Sequence, residues 1–207
     1  MAKATNIILI VIGLMSFVTV KEIAKAKINE NTIENILKEK KIAPLGKNSI
    51  GEVSPQDWFF NTQFGLVFET PKAMKEINVE TPDGVGDYVN RTYNYVYNDG
   101  QMAINYLIIE AKFKTYDTKE GLRGSVGNLI NNRNGTNLNL TYFTTKSQYN
   151  EQDCEGTFYY KDIRMYMRGF CLFNEKGRVH ILIACGANDE DTINKIKRVF
   201  GSIKIMN

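Results

Sequence analysis

Three cysteines (Cys154, Cys171 and Cys185) and one histidine (His180) are the side chains best suited to covalent or proton-transfer chemistry near neutral pH. A thiol beside an imidazole becomes a nucleophile when the ring takes its proton. Cys171 and His180 are the pair that strand spacing would bring together, and a thiol-dependent enzyme or redox protein would use them. The plainer reading makes His180 a packing residue in a strand. No His/Cys spacing matches a zinc pattern. Gly121-x-x-Gly124-x-x-Gly127 lacks the Lys-Ser/Thr of a phosphate loop, and close approach of a helix to a sheet accounts for it. Asp189, Glu190 and Asp191 read as a helix start, and Glu151, Asp153 and Glu155 as a polar loop or strand edge. Neither set reads as a paired-carboxylate acid/base site. Recognition is the other chemistry on offer. Tyr93, Tyr95, Tyr97 and Tyr106 form a row of amphipathic rings that suits a ligand platform, although one half-buried sheet face under a helix is the plainer reading. No catalytic, cofactor-binding or metal-ligating residue is assigned, and no cofactor is expected.

The net charge of +3 is small, and no stretch interleaves Lys and Arg with aromatics, so a nucleic-acid partner is not expected. Lys38, Lys40 and Lys41 read as a solvated helix end. The informative segment is Ile7 to Val20, 14 residues without a charge, behind Lys3 and stopped by Lys21 and Glu22. A spanning helix needs roughly 17–25 apolar residues, whereas this length behind a positive start fits a secretory signal peptide. Ala24-Lys25-Ala26 supplies a small-x-small site, which places the mature start near Lys27. Counted from Ala4 the run reaches 17 residues, the length of an uncleaved anchor. Residues 1–26 are therefore an export signal or N-terminal anchor, and the rest of the chain is expected in the periplasm, outside the cell or tethered at the membrane through residues 7–20.

Residues 27–57 read as a short helix and linker. Ile33, Ile36 and Leu37 share one helical face over Asn31–Lys40, and Pro44, Gly46, Gly51 and Pro55 break regular structure over 43–56. Residues 58–207 are the compact domain. Phe64–Glu69 is a strand ended by Pro71, and Asn78–Asp87 is a loop. Val89–Asn98 and Gln101–Lys112 form a hairpin about Asp99-Gly100, the two-residue signal of a type I′ turn. That turn pairs Asn98 with Gln101 and sets Tyr93, Tyr95 and Tyr97 on one face with Met102, Ile104, Tyr106 and Ile108. Thr118–Asn132 is a helix with Leu122, Val126, Leu129 and Ile130 as its buried stripe. Leu138–Lys146 is a strand. Asp153–Tyr160, Met165–Phe173 and Arg178–Cys185 form a meander with Asn174–Gly177 as its second turn. A helix starting at 188–191 buries Ile193, Ile196, Val199 and Phe200, and Ser202–Ile205 closes the chain as a strand. Hairpins dominate and no strand–helix–strand series repeats, so the class is α+β with an antiparallel sheet covered by helices.

Export allows disulfides, and register selects a pair. With a four-residue loop at Lys161–Arg164, Tyr160 faces Met165 and Cys154 faces Cys171, within disulfide reach. A two-residue loop would put Gly169 there instead. With Asn174–Gly177 as the next loop, Cys171 faces His180, and Cys185 falls on the opposite sheet face as a buried free thiol. Three reduced core cysteines and an intermolecular bond are the alternatives.

Three further segments carry a resemblance. Trp58-Phe59-Phe60 leads into Phe64-Gly65-Leu66-Val67-Phe68-Glu69-Thr70-Pro71. Gly177-Arg178-Val179-His180-Ile181-Leu182-Ile183 is the second, and Ile196-Lys197-Arg198-Val199-Phe200-Gly201-Ser202-Ile203-Lys204-Ile205 is the third, near the end of the chain. Together, over 58–205, they resemble the spaced apolar motifs of PsbP-like domains. His180 stands where that family has tyrosine, and Ile203 where it has phenylalanine. The resemblance implies an α/β/α sandwich, a fold shared by a photosystem II extrinsic subunit, a Ran-binding import factor and many exported bacterial proteins. It implies no activity, because those proteins do unrelated jobs. The expectation is an exported, non-enzymatic binding or accessory domain for an unidentified protein or small ligand of the cell envelope. A Cys171/His180 enzyme and a membrane-tethered structural protein are the alternatives.

Overall fold

A computed structural model describes residues 58–77, 87–143 and 149–206. The export segment, the 31–40 helix, the 43–56 linker and the loop at 78–86 lie outside the described residues.

Two antiparallel sheets and two helices make up the domain. β1 (Phe59–Gln63) and β2 (Leu66–Thr70) form a hairpin, and β10 (Lys204–Ile205) pairs with β2 from its other side. The larger sheet contains β3 (Lys75–Ile77), β4 (Val89–Asn98), β5 (Met102–Ala111), β6 (Thr136–Phe143), β7 (Asn150–Tyr160), β8 (Ile163–Phe173) and β9 (Arg178–Ala187). Its spatial order is β3-β4-β5-β9-β8-β7-β6, and every pairing is antiparallel. The α+β class and the antiparallel sheet under helices are as expected. β1 and β3 are additions. The turn between β1 and β2 is Phe64-Gly65, with φ of 51° and 94°. Both central residues have positive φ, the requirement of a type I′ hairpin.

Each face of the large sheet has its own cover. Helix α1 (Thr118–Asn132) lays Leu122, Val126, Leu129 and Ile130 on one face, against Cys154, Met167, Cys171, Ile181 and Cys185. Helix α2 (Glu190–Gly201) and strand β2 share the other face, where Ile196, Val199, Phe200, Leu66 and Phe68 meet Ile104, Tyr106, Ile108 and Leu182. Both helices begin on an aspartate cap. Asp117 accepts from Glu120 N–H at 3.0 Å and Asp189 from Thr192 N–H at 2.9 Å, satisfying donors that have no intrahelical partner. Central strand β9 is buried on both faces, which explains its unbroken apolar run Ile181-Leu182-Ile183-Ala184-Cys185.

Three turns differ from expectation, and the parity of each difference decides its consequence. In the β4–β5 hairpin, Gly100 alone has positive φ, at 88°. The turn is therefore centred on Gly100-Gln101, Asn98 pairs with Ala103 and Tyr95 with Tyr106. Asp99 directs this by accepting from the Gln101 and Met102 N–H groups at 3.0 and 2.8 Å. The register moves by two residues, so the tyrosines keep their face. The β7–β8 turn is Lys161-Asp162, with φ of 47° and 63°. A two-residue turn sets Cys154 against Gly169 and Cys171 against Gln152. The expected Cys154–Cys171 opposition does not form, and all three cysteines are free thiols. Gly169 belongs there for packing, since a Cβ on it would lie 2.9 Å from Leu122 Cδ1 and 3.1 Å from Cys154 Sγ. Helix α1 thus makes its close approach to the sheet at a strand glycine rather than through its own glycines.

The third turn moves the register by one. Asn174 N–H donates to the Arg178 carbonyl at 3.0 Å, and Asn174 Oδ1 accepts from Lys176 and Arg178 N–H. That leaves a three-residue loop with Gly177 at φ 71°. Phe173 pairs with Val179, and Cys171 with Ile181. An odd shift exchanges the two faces. Cys185 consequently joins Cys154 and Cys171 under α1, while His180 turns to the side of α2.

Candidate functional site

The register removes the thiol–imidazole pair: Cys171 and His180 lie on opposite faces of the large sheet. The thiols are also unfit as nucleophiles. Burial pushes Cys154 up to about 12 and raises Cys171 and Cys185, and a thiolate is the reactive form. His180 is fully buried. Its Nδ1 lies 2.8 Å from Tyr106 Oη and its Nε2 3.3 Å from Asn174 Nδ2. With Asn174 donating to Nε2, Nδ1 carries the ring proton and donates to Tyr106, whose O–H reaches the Gln63 carbonyl at 3.5 Å. The ring is satisfied as a neutral base, and burial, aided by Arg178, lowers it to about 4. This is a structural hydrogen-bond relay across the core, from β8–β9 to β1.

Of the tyrosine row, Tyr97 and Tyr106 are buried, with Tyr106 edge-on to Phe68 at 5.0 Å. Tyr93 and Tyr95 are half-buried and pack on the same core. Tyr93 is flanked by Phe64 at 4.7 Å and by the Arg91 guanidinium at 4.7 Å.

A richer polar constellation lies on the same sheet face toward β6. Register aligns cross-strand rows there. Phe143, Asp153 and Phe170 form one row, and Thr141, Glu155 and Arg168 the next. Asn139, Thr157 and Tyr166 form the third. Helix α2 covers the β8 side, whereas Asn139, Thr141, Phe143 and Tyr159 are exposed. Where α2 ends, a cleft of about 340 Å³ opens between Asp153 and Phe170 below, Phe200 and Ile203 on one side, and Ile205 of β10. Tyr149 and Glu151 complete its lining.

Arg168 and Asp153 organise the floor. Arg168 Nη2 is 2.5 Å from Asp153 Oδ2, and its guanidinium lies 5.1 Å from the centre of the Phe200 ring. Glu155 accepts from Tyr166 Oη at 3.0 Å. Burial raises the Asp153 carboxyl, although Arg168 acts against it. Asp153 Oδ1 and Arg168 Nε are buried without a hydrogen-bond partner. Unpaired buried polar atoms are uncommon in native structures, and here both belong to one ion pair, whose Asp153 lines a cleft of mixed polar and apolar side chains. Sequence reasoning placed Glu151, Asp153 and Glu155 in a loop or strand edge and passed over Arg168. Their period of two, with Glu155 opposite Arg168 across a hairpin, was the available signal.

The arrangement can hold and orient a ligand through apolar contact and hydrogen bonds. Among the described residues that line it there is no cysteine, serine or histidine. Among the described residues no group of three or more His, Cys, Asp or Glu could hold a metal ion, and no helix is long and apolar enough to cross a membrane.

No family model matches the chain, and no curated protein matches it. Among solved structures, one similar chain is LpqN of Mycobacterium tuberculosis, described as involved in cell envelope biogenesis. The identity is 11%, the TM-score 0.41, and the match covers 75% of this chain and 88% of the other. At those values nothing about this protein's role is taken from the likeness.

Proposed function

We propose that this chain is an exported, non-enzymatic binding domain whose ligand lies in the cleft between α2, β10 and the β7–β8 face. The observation that carries the reading is the Asp153–Arg168 pair, in which two buried polar atoms lack partners and whose Asp153 lines the cleft with Phe170, Phe200, Ile203 and Ile205. Few polar groups in an apolar recess are the usual composition of a ligand pocket. Among the described residues no thiol, aliphatic hydroxyl or imidazole lines it, and Asp153 is held in an ion pair with Arg168, so binding is the chemistry proposed.

Titrating isotope-labelled protein with N-acetylphenylalanine amide, an apolar ring carrying peptide hydrogen-bonding groups, tests the site. Amide shifts should cluster at Asp153, Phe170, Phe200 and Ile205, and Ile205→Asp should weaken binding by about tenfold, since losing one buried aliphatic contact is worth at least about 1.4 kcal/mol. Shifts clustered elsewhere, or unaffected by Ile205→Asp, would remove the cleft from consideration.

Export rests on the apolar run Ile7–Val20. Intact-mass measurement of the chain recovered outside the cytoplasm should give a start near Lys27, and recovery solely from the cytoplasm would overturn export.

A further inference from the structure

The two ends of the large sheet are treated differently. At one end β3 is three residues long and carries Lys75, both common means of blunting an edge. At the other end β6 is eight residues long, Thr136-Asn137-Leu138-Asn139-Leu140-Thr141-Tyr142-Phe143, with neither a charge nor a proline. Its one guard is the irregularity between Thr136 and Asn139, where Asn137 has φ 53°. Gln152 Nε2 occupies the Phe143 carbonyl at 2.7 Å. Beyond the irregularity, which takes in Leu138, Asn139–Tyr142 presents a straight edge with no strand beyond it among the described residues.

We propose that β6 pairs antiparallel with β6 of a second copy of this chain, about a two-fold axis through Leu140. Opposed residues in an antiparallel ladder share a face, so a self-paired strand must match positions whose numbers sum to an even value. The sum 280 opposes Leu140 to itself, Leu138 to Tyr142 and Asn139 to Thr141. That register is self-complementary on both faces. Leu140 and Tyr142 of the two copies, which pack on the α1 side, meet across the seam, and its ends cover Leu138, which is 37% exposed in the single chain. On the other side, Asn139 amides meet Thr141 hydroxyls. No like charges meet along the seam, because β6 has none. An isologous contact of this kind closes as a dimer and leaves no second free edge to propagate. It also joins two large sheets of seven strands and brings the polar rows beside the two clefts onto one surface.

The test uses the full chain and light scattering across micromolar to millimolar concentration. The wild-type mass should rise to that of two chains. Asn139→Lys/Thr141→Lys places like charges opposite each other twice, on exposed positions, and should remain monomeric with an unchanged circular dichroism spectrum. So should Asn139→Glu/Thr141→Glu. An equimolar mixture of the two variants should recover the dimer mass, because opposite charges then face across the seam. Leu140→Cys, oxidised with diamide, should cross-link into a covalent dimer at the axis, whereas the three native thiols are buried and do not contribute. A wild-type chain that stays monomeric at millimolar concentration overturns the proposal. A lysine double variant that still dimerises, or a Leu140→Cys dimer that does not cross-link, overturns it as well.

Discussion

Gly121→Ala lowers the stability of this domain by about 2–3 kcal/mol, while the same change at Gly127, on the same helix, raises it by up to about 1 kcal/mol. A Cβ at Gly121 would sit 1.9 Å from Tyr116 Oη and 2.4 Å from its Cζ, whereas at Gly127 it would meet nothing within 4 Å. Tyr116 cannot easily move away. It is 7% exposed and stacks on Phe113 at 5.8 Å, beside Phe173 at 6.0 Å. Its hydroxyl is buried without a partner, so that oxygen contributes crowding and no hydrogen bond. Tyr116→Phe should therefore be tolerated alone and should recover part of the loss in Gly121→Ala. Urea unfolding of the four variants beside the wild type reads these differences. Equal effects at 121 and 127 would mean that Tyr116 yields, and the packing account would be wrong.

Acid is expected to weaken the fold through His180. Its folded pKa of about 4 lies below the ordinary 6.5, so between those values the unfolded chain binds a proton that the folded chain does not. Stability contributed by the neutral ring is present above pH 6.5 and is lost as pH falls toward 4, by about 3 kcal/mol in all. Between pH 7 and 5 the carboxylates whose folded values are lowered, Asp99 and Asp189, remain ionised in both states, so this interval isolates the histidine. Asp153, shifted upward by burial, acts in the opposite sense. Replacing the hydrogen-bonded pair together, as Tyr106→Phe/His180→Phe, should flatten the profile between pH 7 and 5. A slope that survives this replacement would assign the effect to another group.

Local chemistry was legible in the sequence wherever one signal dominated. The α1 bounds, the apolar stripes of α1 and α2, and the shared face of Tyr93, Tyr95, Tyr97 and Tyr106 all follow from period and caps. Turn geometry was harder to read. Asp99-Gly100 resembles a type I′ turn, yet the Asp99 carboxylate caps two N–H groups and moves the turn by one position. Lys161-Asp162 carries no glycine, but adopts positive φ at both residues. Such choices cost little locally and are settled by packing across the whole hairpin. The single-residue difference at Asn174–Arg178 separated Cys171 from His180 and undid the most specific chemical hypothesis. The cleft escaped for a related reason: its residues come from β7, β8, α2 and β10, and strand neighbours so distant in sequence carry no periodic signature.

The shortest strand has a consequence for how the chain acquires its structure. β10 pairs Lys204 with Val67 and Ile205 with Leu66, and Met206 N–H donates to the Gly65 carbonyl at 2.7 Å. β5 likewise waits for β9, with Ile104 against Ala184. Contacts closing loops of such length are slow to form. A nascent or translocating chain whose β9 and β10 are still held back leaves β2 with one edge open and the central place in the large sheet unfilled. Both sheets therefore stay incomplete until β9 and β10 dock, which ties their completion to one stretch of chain, 178–205.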